Sequence, residues 1–397
     1  MLGLYLHIPF CSAICNYCNF NRGLFDARQK ARYVDSLLVE IERAGLKACA
    51  TGDVAQANVP QANVAQTFRS ARRAADTIYF GGGTPSLLDA ADVARIVAAC
   101  RDGFDIAPDT EVTLEANPES VDVGKLIAFR EAGVNRLSFG VQSFRDTELR
   151  RLSRLHDASR ARAALLEARA AGFDNVSLDL MMWLPEQRID EWLSNIDAAV
   201  ECDPDHMSLY LLEVYPNAPL REDMARARWS QAPDDDAATM YVAAMERLEA
   251  AGYEQYEISN VAKPGRASRH NLKYWTDGEW LGFGCGAHGT AGGVRTKNVA
   301  AVEDYIKRIA SGQSVISEAR RLDAAERLGD ALFMGLRLTR GIDLDAVQQR
   351  YGVDVWERYR DDLTRFVEAG LLRYDSRRLA LTRAGMLLAN DVMSVFV

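Results

Sequence analysis

The feature that most constrains this chain is a cluster of three cysteines, Cys11, Cys15 and Cys18, in the run HIPFCSAICNYCNF. They follow a short apolar β run, and spacings of four and three let the three thiolates converge on one small object. A tetrahedral zinc site wants four N or S ligands, and His7 is the nearest candidate for the fourth. An iron–sulfur cube takes one thiolate per iron, so three cysteines leave one iron open to a molecule that offers an amino and a carboxylate group. A disulfide between two of the three conflicts with the reducing compartment that the rest of the chain suggests.

With 397 residues, 48% of them apolar, the chain can bury a large core and is expected to hold two domains. A net charge of −9, with Lys and Arg scattered, gives no general field for phosphate backbones, so nucleic acid is not an expected partner. The opening MLGLYLHI reads straight into a strand rather than a signal peptide, and no run approaches the length that spans a bilayer. The other cysteines, Cys49, Cys100, Cys202 and Cys285, have no paired spacing, which argues for a cytoplasmic setting.

Strand Leu4–Ile8 and the cysteine loop lead into a helical pattern from about Ala27 to Lys47, with Tyr33, Leu37, Leu38 and Ile41 on one face. The stretch over about 48–73 repeats QANV around a proline and reads as a surface insertion. Strand Thr77–Phe80, the run Gly81-Gly82-Gly83-Thr84-Pro85 and a helix from about Ala90 repeat the β–loop–α pattern. Further strands are expected at Val112–Glu115, Arg136–Gly140, Val176–Leu180 and Met207–Leu212, each with its helix. Six consecutive βα units imply a parallel sheet, and both a doubly wound sheet and a TIM-type barrel fit. Polar residues gathering where strands end favour a barrel or partial barrel.

Residues 253–322 change character, with the loop AKPGRASRHNLKYW and the glycine-rich LGFGCGAHGTAGG, and are expected to close one side of the barrel. The GxGxxG match at Gly284–Gly289 does not open a helix and reads as a turn rather than a dinucleotide site. From 323 to 397 the pattern predicts helix Trp356–Gly370, a hairpin turning at Asp375-Ser376-Arg377 and helix Arg383–Met393, a winged-helix-like domain. Winged helices often bind DNA, but a fold does not carry function by itself, and a redox-sensing regulator of this type would need a basic recognition helix that the sequence does not show.

The strand ends collect Tyr5, His7, Gly82, Gly83, Thr84, Glu115, Gln142 and Asp179, with Arg154 just beyond the fourth unit. The spacing Cx3Cx2C resembles the signature of the radical S-adenosylmethionine (SAM) superfamily, in which a [4Fe-4S] cluster passes one electron to the sulfonium of SAM. SAM needs carbonyls or a carboxylate for its ammonium, a cation for its carboxylate and partners for its ribose diol. Glycines let backbone approach the methionyl group, Arg154 suits the carboxylate, and Gln142 and Asp179 suit the ribose.

Nearly the whole chain resembles the oxygen-independent coproporphyrinogen III oxidase family of radical SAM proteins. The motifs YLHIPFCxxxCxYCxF, YFGGGTPSLL, LEANPE, NRLSFGVQSF, RLSRLH, NVSLDLM and LPEQ carry the resemblance. It implies a radical SAM partial (β/α)6 TIM-type barrel with a C-terminal helical, winged-helix-like domain. It also implies cluster binding by Cys11, Cys15 and Cys18, and SAM binding by Tyr5, Tyr17, Gly82, Gly83, Thr84, Glu115, Gln142, Arg154 and Asp179. True oxidases of the family have a further cysteine two positions after the third; here that position is Phe20. The segment His270-Asn271-Leu272-Lys273-Tyr274-Trp275 and the GCGAHG run are similar to those of the HemW-type heme chaperones, which bind heme and hand it to an acceptor protein.

That resemblance makes heme a third expected cofactor. Its partners would be an unidentified acceptor, with respiratory proteins and peripheral membrane contact left open. The alternative reading is an oxidative decarboxylase of coproporphyrinogen III. A neutral imidazole in a loop bordered by aromatics can ligate heme iron, which makes His270 the candidate ligand against the alternative of a histidine that only hydrogen-bonds its surroundings; His288 is a second, more structural candidate. Trp183 stands where the family usually has glycine before LPxQ, and its bulk is expected to reshape the pocket mouth.

Overall fold

The computed structural model describes residues 1–50, 72–216 and 218–397, so the expected insertion over about 48–73 lies, apart from its two ends, outside the described residues. Strand β1 (Leu2–Ile8) is followed by the two-residue strands β2 (Phe10–Cys11) and β3 (Gly23–Leu24), which pair with each other around the cysteines. Then come β4 (Ala74–Gly82), β5 (Asp105–Ala116), β6 (Arg136–Gln142), β7 (Val176–Met182) and β8 (His206–Leu211), separated by helices. β1 and β4 to β8 lie side by side in chain order, and all are parallel. A doubly wound sheet reverses its strand order at a switch point. This one does not, and the six units form a partial (β/α)6 barrel.

Side chains alternate across a strand, so one set faces the helices and the other faces inward. Leu4, Leu6, Ile8, Ile78, Phe80, Leu114, Leu137, Phe139, Leu178, Leu180 and Met207 form the outward set and pack in one core with helix residues such as Leu37, Ile96, Phe129, Leu165 and Ile196. Each fully buried aliphatic of this kind contributes about 1.5–3 kcal/mol. The alternate set is polar: Tyr79 reaches Glu115, Ser138 reaches Asp179, and Ser177 reaches His206. The barrel interior is therefore a hydrogen-bonded polar layer rather than the branched aliphatic packing common in TIM barrels.

The segment expected to close the barrel does not join its edges; it lengthens both. β9 (Glu254–Glu257) and β10 (Asn260–Ala262) extend the β8 side antiparallel. β11 (Trp280–Phe283) pairs parallel with β1 and carries β12 (His288–Ala291), β13 (Val294–Asn298) and β14 (Ile316–Arg321) outward. HNLKYW, read above as part of a loop, is helix Arg269–Trp275, with the Ser268 hydroxyl accepting the Asn271 N–H as its cap. It lies across the N-terminal ends of β1, β4 and β5. Lys273 bonds Asp76 at 2.5 Å and the Met1 carbonyl at 3.1 Å, while Glu111 accepts the Arg269 and His270 N–H groups, each at 3.0 Å.

The C-terminal part places helix Ala324–Gly335, β15 (Ile342–Asp343), helices Leu344–Tyr351, Val355–Arg358 and Arg360–Glu368, then the hairpin β16 (Leu372–Asp375) and β17 (Arg378–Leu381). The three strands order as β15-β17-β16, all antiparallel, which gives the winged-helix arrangement. Ser376 and Arg377 both take positive φ, 49° and 64°, as a two-residue hairpin turn requires. The expected helix Arg383–Met393 is interrupted at Leu388 into Arg383–Leu387 and Ala389–Met393. A separate apolar cluster around Leu332, Leu344, Val355, Leu363, Leu379 and Val392 holds this part together. Arg337 ties it to the barrel, pairing with buried Glu257 at 2.9 Å and stacking 4.4 Å over Trp275.

Candidate cofactor site

The cysteine loop is pinned from several directions. His7 Nε2 contacts the Asn21 carbonyl at 2.7 Å, Asn21 donates to the Cys285 and Ala300 carbonyls, and Asn16 donates to the Arg151 carbonyl and Asp223. Arg22 caps the carbonyls of Phe20 and Cys18. So tethered, Cys11, Cys15 and Cys18 line a cavity of about 550 Å³ at the C-terminal ends of the strands. The same cavity is lined by Tyr5, Tyr17, Gly82, Gly83, Thr84, Glu115, Gln142, Arg154 and Asp179, so the structure brings all nine expected SAM-facing residues together with the three thiols.

Two glycines are there for space. Gly82 has φ +109°, and a Cβ on it would meet the His7 ring at 2.5 Å; a Cβ on Gly83 would meet the Phe10 carbonyl oxygen at 2.7 Å. Gly82→Ala is therefore expected to cost about 1–3 kcal/mol through strain and displacement of His7, read as a lower Tm together with weaker SAM binding. Thr84 donates to Cys11 Sγ at 3.6 Å and accepts from Asn117 at 3.1 Å.

The charged groups are set by burial. Glu115 accepts from the Tyr79 hydroxyl at 2.8 Å and the Gly82 N–H at 3.1 Å, and desolvation pushes it up to about 7. Asp179 lies within 3.5 Å of the Ser138 hydroxyl and is pushed up to about 6, again mainly by burial. Arg154 donates to Asn117 Oδ1 and the Gly140 carbonyl, both at 2.7 Å, and to Cys15 Sγ at 3.4 Å, while its Nε is buried with no partner among the described residues. Burial raises the Tyr17 phenol, with Arg154 opposing. Gln142 takes φ +69°, a left-handed conformation unusual for a residue that is not glycine, and one such sites tolerate.

These residues fit an iron–sulfur cube and SAM. The six cysteines described are free thiols, so the disulfide option is not taken. Among the described residues no three His, Cys, Asp or Glu side chains converge to hold a single metal ion, and both His7 nitrogens are engaged, so the zinc option has no ligand set. A cube places one iron behind each thiolate and needs no such common point. Arg154 and the glycine cradle line the volume beside it.

Other expected residues lie elsewhere. His270 is 1% exposed at the opposite end of the barrel, stacked on Tyr79 at 5.0 Å. Its Nδ1 contacts Thr77 Oγ1 at 2.8 Å and its Nε2 contacts the Tyr274 hydroxyl at 3.0 Å, so neither nitrogen is free, and burial pushes it down to about 3. His288 is exposed on β12 and does not line the cavity. Trp183 does not line the cavity; its Nε1 donates to the Ala232 carbonyl at 2.8 Å, and its φ of +61° explains why glycine suits the position. The strand-end reading missed Asn117, Ser138, Gly140 and Tyr210, which also line the cavity. Asn117, Ser138 and Tyr210 sit two positions from a named residue or on the same inward face, and period-two counting along the strands finds them.

The radical SAM superfamily model matches residues 5–199, and the HemN C-terminal domain model matches 322–388. A protein named heme chaperone HemW from Bacillus subtilis (strain 168) is 34% identical, over 100% of this chain and 99% of its own length. Another of that name, from Mycobacterium tuberculosis (strain ATCC 25618 / H37Rv), is 37% identical over 98% and 93%. Among solved structures, coproporphyrinogen III oxidase (HemN) from Escherichia coli superposes with a TM-score of 0.82 at 23% identity, covering 100% of this chain and 89% of that one, and shares the fold. Cysteine loop, glycine cradle, winged-helix end and full-length similarity agree: the chain belongs to the HemW heme chaperone family of radical SAM proteins.

Proposed function

We propose that this chain is a cytoplasmic heme chaperone that carries a [4Fe-4S] cluster on Cys11, Cys15 and Cys18, binds SAM in the adjoining cavity, and passes heme to an acceptor protein. Bound there, the cluster would supply one electron to SAM. Arg154 orients the carboxylate, Glu115 and the glycine carbonyls take the ammonium, and Gln142 and Asp179 take the ribose. The barrel (1–252), its edge extension (253–322) and the winged-helix part (323–397) are proposed as its units; the first two share one apolar cluster and the third has its own. No helix among the described residues is long and apolar enough to cross a membrane.

The observation that carries the reading against the oxidative decarboxylase is Phe20. It is 68% exposed at the rim of the cavity, where the oxidases have a further cysteine, and it offers an apolar ring instead of a thiol. Heme is expected to bind without His270, because both of its ring nitrogens are engaged. The decisive experiment compares heme binding with decarboxylation in one reconstituted preparation. Heme near one per chain is expected, with a Soret band that His270→Ala leaves in place and with no conversion of coproporphyrinogen III in the presence of SAM and reductant. Sustained turnover of that substrate would instead assign the decarboxylase.

A further inference from the structure

Arg154 sits on a stretch of chain that side chains hold in place. It lies on the irregular link between helices Asp146–Arg151 and Ala158–Ala170, and the chain leaves the first of these through Ser153 at a positive φ of 54°. Burial then alternates along the link. Leu152 is fully buried in a small cluster with Met181, Leu184, Leu212 and Leu220, Arg154 lines the cavity, Leu155 is exposed and His156 is buried again. Arg154 is therefore suspended between an apolar anchor and a polar one. The SAM site accounts for Arg154 but gives His156 no part.

Two contacts place His156, and they repeat those of Arg154 one step along. Arg154 joins Asn117, just past the end of β5, to the Gly140 carbonyl of β6, both at 2.7 Å. His156 joins Glu119, two residues after Asn117, to the carbonyl of Val141, the residue after Gly140. Its Nδ1 lies 3.2 Å from Glu119 Oε2 and its Nε2 lies 3.0 Å from the Val141 oxygen. A carbonyl oxygen only accepts, so Nε2 is the donor there, and turning the ring over would leave C–H groups facing both acceptors. The ring thus has one orientation. Its side chain has no exposed surface and does not line the cavity, so a ligand in the cavity does not touch it. Arg160, inside the next helix, adds a bond to the Pro118 carbonyl at 2.9 Å, which steadies the turn after β5 from the helix side.

We propose that His156 is a positioning residue: a buried brace between the turn after β5 and strand β6 that sets where Arg154 presents its guanidinium to the carboxylate of SAM. This rests on the reading of the cavity as a SAM site. Only one residue separates the brace from the arginine, so a shift at His156 passes to Arg154 with little slack. Both residues tie the same two elements together, and without the ring the two supports of Arg154 lose the bond that keeps them in register. A charge-assisted hydrogen bond weakens steeply once its angle or distance is wrong, so the ligand carboxylate is the group that registers the change.

The test measures the Kd of SAM and of decarboxylated SAM, which keeps the amine, ribose and adenine but lacks the carboxylate, by equilibrium dialysis on the full-length, cluster-loaded protein. The variants are Arg154→Ala, His156→Phe, Glu119→Leu and the double variant Arg154→Ala with His156→Phe. His156→Phe is expected to weaken SAM about tenfold and decarboxylated SAM less than about twofold, with cluster absorption kept. In the Arg154→Ala background it is expected to cost nothing further, because it acts through that arginine. Equal weakening of both ligands, a further tenfold loss on top of Arg154→Ala, or unchanged SAM affinity would overturn the proposal, since a side chain that only fills space does not single out the carboxylate. The double variant decides alone if decarboxylated SAM binds too weakly to read. Should His156→Phe fail to fold, Glu119→Leu cuts the same brace at its outer end, where the side chain is 19% exposed, and decides by the same readings. Arg154→Ala separates the two levels: if it too weakens both ligands equally, the carboxylate reading of the cavity fails with the proposal, whereas selective loss there without selective loss at His156 overturns the brace alone.

Discussion

Alanine at any one of Cys11, Cys15 or Cys18 is expected to abolish the visible absorption of the reconstituted protein, while the wild type takes up about four irons per chain. The loss should be complete rather than graded, because a cube held by three thiolates has no protein ligand to spare once its fourth iron is given to a small molecule. The fold should survive, since none of the three cysteines belongs to the apolar cluster between strands and helices. Unchanged far-UV circular dichroism with no iron chromophore is the expected pair of readings. Stoichiometric zinc in place of iron in the wild type would refute the radical SAM reading of the cavity.

Arg154→Ala is expected to leave the cluster in place and to weaken SAM binding by about 2–5 kcal/mol, the range for removing one partner of a buried, charge-assisted pair. The geometry supports a value toward the upper part of that range. The guanidinium is already anchored through Nη2, which donates to the Asn117 side chain and the Gly140 carbonyl, both at 2.7 Å, so little ordering remains to be done when the ligand carboxylate arrives. Arg154→Lys should not restore affinity, because an ammonium that takes up the two supports held by Nη2 has no second nitrogen left for the ligand carboxylate. Affinity unchanged in the alanine variant would remove Arg154 from the site.

How much of this could be read from residues alone depended on which physical signal each residue carried. Tyr5, Gly82, Gly83, Thr84, Glu115, Gln142 and Asp179 were legible because parallel strands deliver their C-terminal ends to one face, and polar types there have few other reasons to be present, whereas Tyr17 in the cysteine loop was named only by the family resemblance. Arg136 and Ser138 carry no strand-end signal; both lie on the inward face of a strand that otherwise reads as apolar. His270 among aromatics fits two opposite situations, an open ligand loop and a packed helix. The serine two residues before it, a cap for helix Arg269–Trp275, was the signal that separated them. Trp183 was misread as bulk at a pocket mouth when the constraint at that position is a positive φ. The strand-by-strand extension of both sheet edges by 253–322 had no local signature, since pairing partners far apart in sequence leave no periodicity behind.

The helix that lies across the base of the barrel closes its lower end. His270 and Lys273 sit so close to Gly3 that even a methyl group there would meet both at 2.9 Å, and Glu111 holds the helix from the next strands over. Nothing the size of SAM can pass below. A ligand that enters by the rim that Ile14, Phe20, Leu211 and Tyr215 surround cannot continue through the base, so two ligands that both use the rim are bound to an order of traffic. The deeper one loads first and departs last, and the residence time of the outer one sets a floor under that of the inner.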